Sequence, residues 1–308
     1  MCIRDSICGD CLQAFEEKLG NSKVMQQTIN IIEGLRKGMV NSRVYLQPLS
    51  FEENLPFTVA ITKRKMGMTS QPFRKFLMMI DHFDCLIRTA VILLAHLYFS
   101  DKKDLTAFFE ENRLSEKPSL GAWVAALNKL SSVQIETKTF SLPNDFNRKL
   151  RGIIRLEQDQ KIVLVRNEKR GHGYIECSDS GYESQFLAQI QVLDEIEKNL
   201  SPLFYRFHYY HVISADHIGG GKFEINYIDL SGSNPAFLED KIEVSFKDFS
   251  EVPGKNQCFL VSPKKDKWIS LDPYLRFGTC PECNHMRLLI QDGDVYLDHL
   301  VGHRVDLT

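Results

Sequence analysis

Two short segments bring together residue types that can do chemistry. In Cys280-Pro281-Glu282-Cys283-Asn284-His285, two thiols stand two residues apart on a turn marked by proline and asparagine. That spacing lets both sulfurs reach one tetrahedral ion. The remaining ligands must come from elsewhere: His303 is the best candidate, then His299 and His285, with Cys258 after them. The ion expected of such a set is zinc in a structural role, stabilising a small domain that has little core of its own; a turn that has lost its metal is the alternative. The second segment is Val165-Arg166-Asn167-Glu168-Lys169-Arg170-Gly171-His172-Gly173. Cleaving RNA without a metal needs a group to take the proton of the ribose 2′-OH and a fixed cation against the charge growing on the phosphate. Histidine can do the first near neutral pH and arginine the second. The non-catalytic reading has Arg166 and Asn167 capping carbonyls at a helix end, with His172 in a solvated loop.

The Arg166-Asn167-x4-His172 segment resembles the R-x(4 to 6)-H motif of the HEPN superfamily, small helical domains of bacterial conflict and stress systems that often act as metal-independent ribonucleases. A second match to the spacing, Arg206 to His211, has Phe207 after the arginine and reads as the tail of an amphipathic helix, hence as coincidence. The resemblance covers about 72 to 211 and implies His172 as the base or 2′-OH-orienting group, Arg166 as the phosphate stabiliser and Asn167 as polar support. Lys169 and Arg170 would add local positive charge for RNA, and the family's habit of pairing implies a homodimer. The Cys280–Cys283 turn looks like the first half of a zinc ribbon. It departs from that pattern because no second C-x-x-C follows.

The elements that must position these residues are legible in the periodicity. Phe15, Leu19, Ile29, Ile32 and Leu35 predict helices between Leu12 and Val40, and Pro48 and Pro56 mark a connector. Pro72 suits a first turn and opens a core helix through Phe76, Ile80, Phe83, Ile87 and Leu94 to Phe99. Short helices follow over Leu105 to Glu111 and Leu120 to Leu130. One helix is expected from Pro143-Asn144-Asp145 to about Arg170, stopped by Gly171 and Gly173, and another from Ser184 to about Tyr210. After His211 the chain turns to short β-branched runs at 223–228, 242–246, 258–261, 268–271, 286–290 and 295–300, separated by Gly, Pro, Asn and Asp. The expected class is therefore α+β and multidomain: a helical lead-in at 7–65, a HEPN-like bundle at 66–213 and a β-rich, zinc-ribbon-like domain at 214–308.

Composition narrows the partners. The 308 residues are 43% hydrophobic and 25% charged with net charge −2, which excludes a disordered or collagen-like chain and a global basic field for nucleic acid. Any RNA contact must be a local patch. The apolar run from Cys85 to Phe99 carries Arg88 and His96 and falls short of the roughly 20 residues of a membrane span. Eight cysteines and no apolar leader segment make a reducing cytoplasm the expected setting. Met1-Cys2-Ile3-Arg4-Asp5-Ser6 resembles a translated sequencing adapter, so the chain is expected to enter at about Ile7 with an upstream domain missing. Cys8 and Cys11 then read as half of a zinc site or as two unpaired thiols. Gly219-Gly220-Gly221-Lys222 is a turn and not a P-loop, Cys85 and Cys177 are core or surface thiols, and Lys63-Arg64-Lys65 is a solvated charge run. Three functions fit these readings: a metal-independent endoribonuclease, a non-catalytic interaction or sensor module whose enzyme lies upstream, and a nucleic-acid-binding ribbon on a helical scaffold. Asp292, Asp294, Asp298 and Asp306 argue against the third.

Overall fold

Pro56 pins the start of the first helix, α1 (Phe57–Met68), to a strand end: it bridges Ser231, and the Phe57 amide donates to the Leu230 carbonyl at 2.8 Å. The computed structural model describes residues 55–99, 101–116, 118–133, 142–170, 178–233, 237, 239–245, 253–298 and 302–306, with the helical backbone alone for 168–170. All lie in one compact unit, Ser50–Thr308. The helices expected before residue 41, and Cys8 with Cys11, fall outside the described residues.

Helix α2 (Pro72–Tyr98) has proline in its first turn, as expected, and buries nearly every residue from His82 to Leu97. A helix apolar all round must be surrounded, and α2 packs on α1, α4 (Leu120–Ser131) and α7 (Asp179–Phe204). Asp101 caps α3 (Lys102–Glu111) through the Lys103 amide at 2.7 Å, and Ser119 and Ser178 cap α4 and α7 in the same way. The helix expected over 143–170 is instead two, α5 (Phe146–Gln160) and α6 (Ile162–Arg170), because Lys161 is left-handed at φ 53° and ends the first. The last helix stops at Phe204 rather than Tyr210. As part of an extended chain, Tyr209 packs into the main core and Tyr210 into a separate apolar cluster on the other face of the sheet.

That sheet has the order β3-β2-β1-β4-β5 and is antiparallel throughout: β1 (His208–Gly219), β2 (Lys222–Asp229), β3 (Glu239–Ser245), β4 (Cys258–Val261) and β5 (Trp268–Ser270). The β1–β2 turn uses Gly219, Gly220 and Gly221 at positive φ, which settles the Gly-Gly-Gly-Lys run as a hairpin. The second sheet is also antiparallel, in the order β6 (Leu275–Thr279), β7 (Met286–Asp292), β8 (Val295–Leu297), β9 (Arg304–Val305). The class is mixed α+β. The principal apolar core runs without a break from the helices into both sheets, including Tyr209, Leu260, Leu275 and Ile290. Far less core lies on the other face of the second sheet, where Cys280, Leu289, Tyr296 and Val305 make a small cluster.

Two polar networks sit inside. Arg88, 3% exposed, bonds Asp84 on its own helix at 2.9 Å and Asp292 at the end of β7 at 2.8 Å, and Arg304 of β9 reaches the other Asp292 oxygen at 2.8 Å. Buried His82 accepts or donates at both ring nitrogens, to Thr62 (2.8 Å) and Glu197 (2.7 Å), and Lys63 also pairs with Glu197. Lys63 is thus half of an ion pair rather than part of a purely solvated run. Burial alone would raise the Glu197 pKa; His82 and Lys63 carry it below the usual carboxylate value.

Removing one partner of a buried pair strands the others. Arg88→Ala is therefore expected to cost about 3 kcal/mol or more in urea denaturation; a loss under about 1 kcal/mol, the range of surface pairs, would contradict the burial of the network. Acid should act in the same direction. Burial pushes His96 from the usual 6.5 down to about 4, so the folded chain binds fewer protons than the unfolded one between those values. The depressed carboxyl of Glu197 adds a loss at lower pH. The urea midpoint is expected to fall as pH drops from about 6.5 towards 4, and His96→Leu to flatten that fall.

Candidate metal centre and the Arg166 segment

Cys280 follows β6 and Cys283 lies in the turn that returns the chain to β7. The Cys280 amide donates to the His285 carbonyl at 2.9 Å, and the Asn284 amide donates back to the Cys280 carbonyl at 2.8 Å. Asn284 takes φ 55°, the left-handed conformation that asparagine tolerates better than most residues. This folds both thiols inward. The third donor arrives from the opposite edge of the sheet: Gly302 at φ 77° and the Asp298 amide bonded to the His303 carbonyl at 2.9 Å turn the chain so that His303 immediately precedes β9. The donor atoms of Cys280, Cys283 and His303 lie within 4.8 Å of one another, and this group could hold a metal ion.

The electrostatics suit a cation. Burial raises the Cys280 thiol pKa, but the amides of Cys283 and Glu282 and the His303 ring hydrogen-bond the sulfur and bring it below the ordinary value. His303 Nδ1 faces Cys280 Sγ at 3.4 Å, while its Nε2 lies 3.6 Å from the Glu282 carboxylate. The Glu282 carboxylate is thus close enough to pair with the ring when it is protonated. The bond to Cys280 raises the His303 pKa, so an ion would compete with a proton at Nδ1.

Of the other ligand candidates, His285 is exposed and outside the group, and Cys258 is buried on β4 with its thiol pushed up to about 12 by burial. His299 lies outside the described residues.

The Arg166 segment is placed in part. Helix α6 is described to Arg170. Arg166 is half-buried, and its Nη1 donates to Asn167 Oδ1 at 3.2 Å. Asn167 lines a cleft of about 460 Å³ between α4, α5 and α6, together with Asn128, Glu157, Lys161 and Leu164. His172 and the side chains of Lys169 and Arg170 lie outside the described residues. The other spacing match is separated by structure: Arg206 precedes the sheet and His211 is buried on β1, so its expected helical tail is in fact a strand.

No protein-family model, curated protein or solved structure matches this chain.

Cobalt(II) titration tests the donor set. One equivalent should give a thiolate-to-metal absorption band, which Cys280→Ser or Cys283→Ser removes or cuts sharply and Cys258→Ser leaves unchanged; a band that survives both knuckle substitutions would place the metal elsewhere.

Proposed function

We propose that Cys280, Cys283 and His303 bind zinc in a structural role, and that the Arg166 segment makes the chain a metal-independent endoribonuclease resembling the HEPN superfamily. The zinc reading is carried by one observation, the convergence of two cysteine sulfurs and an imidazole nitrogen within 4.8 Å. The chemistry of these donors fits zinc, which favours sulfur and imidazole, and they would fill three of its four tetrahedral positions. The ion would cross-link the β6–β7 turn to the strand before the C-terminus, on the sheet face with the smallest core.

The RNA reading is supported by the Arg166–Asn167 contact and the open cleft beside it. Arg166 would hold its planar cation against a phosphate, with Asn167 fixing the guanidinium. His172, two residues beyond the end of α6, would take the 2′-OH proton, its role resting on the resemblance alone. A homodimer would bring two such segments together. The other reading, a helical interaction or sensor module without catalysis, is favoured by Arg166 spending a donor on its own neighbour.

The deciding experiment incubates the purified chain with labelled RNA and no added metal, beside His172→Ala and Arg166→Ala, with circular dichroism confirming that each variant folds. Cleavage is expected to fall about 100-fold or more in each, the scale of a lost proton-transfer group. Absent cleavage, or cleavage that survives both changes, would leave the interaction module. Sedimentation of the same samples reads the dimer.

A further inference from the structure

Near the metal centre a second, more polar cleft opens between the five-stranded sheet and edge strand β6, about 580 Å³ in volume. That is the size of a small-ligand site. Its walls include His211 on β1, Lys255 and Asn256 on the turn before β4, and Asp272 and Arg276 at the start of β6.

Of the buried polar groups that the described residues leave unpartnered, His211 is the one that lines this cleft. It is 5% exposed, yet its Nδ1 is buried with no hydrogen-bond partner among the described residues, and its near neighbour is the Phe277 ring at 5.0 Å. Buried polar groups are nearly always partnered, so an unpartnered imidazole among the cleft-lining residues marks a place where a ligand can supply the missing bond. Burial pushes its pKa down to about 4, which keeps the ring neutral with one N–H to donate.

The other donors are cationic. Arg276 gives its Nε to Asp272 at 2.7 Å and rests its guanidinium over the Tyr296 ring at 5.2 Å, so the group is held in place while its outer N–H groups stay available. Lys255 is exposed on the rim. The one carboxylate among the lining residues, Asp272, is already engaged by Arg276. A fixed guanidinium, a mobile ammonium and a neutral N–H around one cavity are the donor set for an oxyanion.

We propose that this cleft binds a small organic anion through its phosphate or carboxylate group, with Arg276 and Lys255 supplying charge and His211 a hydrogen bond. The site depends on neither the zinc nor the RNA reading.

Calorimetric titration of the full chain with AMP, citrate and inorganic phosphate tests it and separates the two anion chemistries. Saturable one-site binding of AMP or citrate is expected, weakened about tenfold or more in Arg276→Gln and in His211→Leu, the scale of a lost hydrogen bond to a charged group. His211→Leu should also keep or raise the melting temperature, because it removes an unpartnered polar group from the interior. If that variant fails to fold, Lys255→Ala, on the surface, carries the test with the same expected weakening. Binding of none of the three probes, of phosphate with both organic anions excluded, or with unchanged affinity in Lys255→Ala and Arg276→Gln would each overturn the proposal.

Discussion

The guanidinium of Arg88 is the interaction on which the arrangement of helices and C-terminal sheet depends. A cation in the middle of an almost wholly buried helix is tolerable only if its charge and its donors are matched. Asp84, one turn away, matches it locally; Asp292 matches it across the core and so draws the end of β7 against α2. Asp292 has a second oxygen, and Arg304 takes it. Arg304 opens β9 directly after His303, so a charge on the central helix fixes the strand that delivers the third donor of the metal centre.

The metal centre lies where the apolar contribution is smallest. One face of the second sheet joins the main core through Leu275, Leu288 and Ile290, while the other has a four-residue cluster that includes Cys280 itself. A two-residue strand such as β9 has few hydrogen bonds to hold it. An ion shared by the β6–β7 turn and His303 would add a connection that neither the ladder nor the apolar cluster supplies. The turn suits a cation: the amides of Glu282 and Cys283 point at the Cys280 sulfur, and the Glu282 carboxylate lies near the imidazole.

Elsewhere the fold binds charge for stability and leaves other polar groups open. His82 has both nitrogens engaged, by Thr62 and Glu197, and serves to lock α1, α2 and α7 together. His211 is also buried but has Nδ1 unmatched among the described residues, beside a cleft. The two histidines differ in what surrounds them and not in residue type, which is why neither role follows from composition.

Much of the local structure is legible in the chain. Pro72, the apolar spacing through Leu94, the caps at Asp101 and Ser119 and the Cys-Pro-x-Cys turn are signals of short range, and short-range physics decides them. The break at Lys161 is not legible because a left-handed lysine has no composition cue, and the first residues of β1 read as a helix tail because Tyr209 and Tyr210 are apolar in either period. Arg88 and His96 could be seen as charged residues in an apolar run, but their partners, 204 residues away for Asp292, could not. By itself the sequence determined where α2 to α5 begin, that a β-rich end follows the helices, and that Cys280 and Cys283 share a turn. Only the tertiary structure decided that His303 completes the donor group and that His211, Lys255 and Arg276 face one cleft, because those meetings are set by long-range burial and charge pairing, which no local spacing encodes.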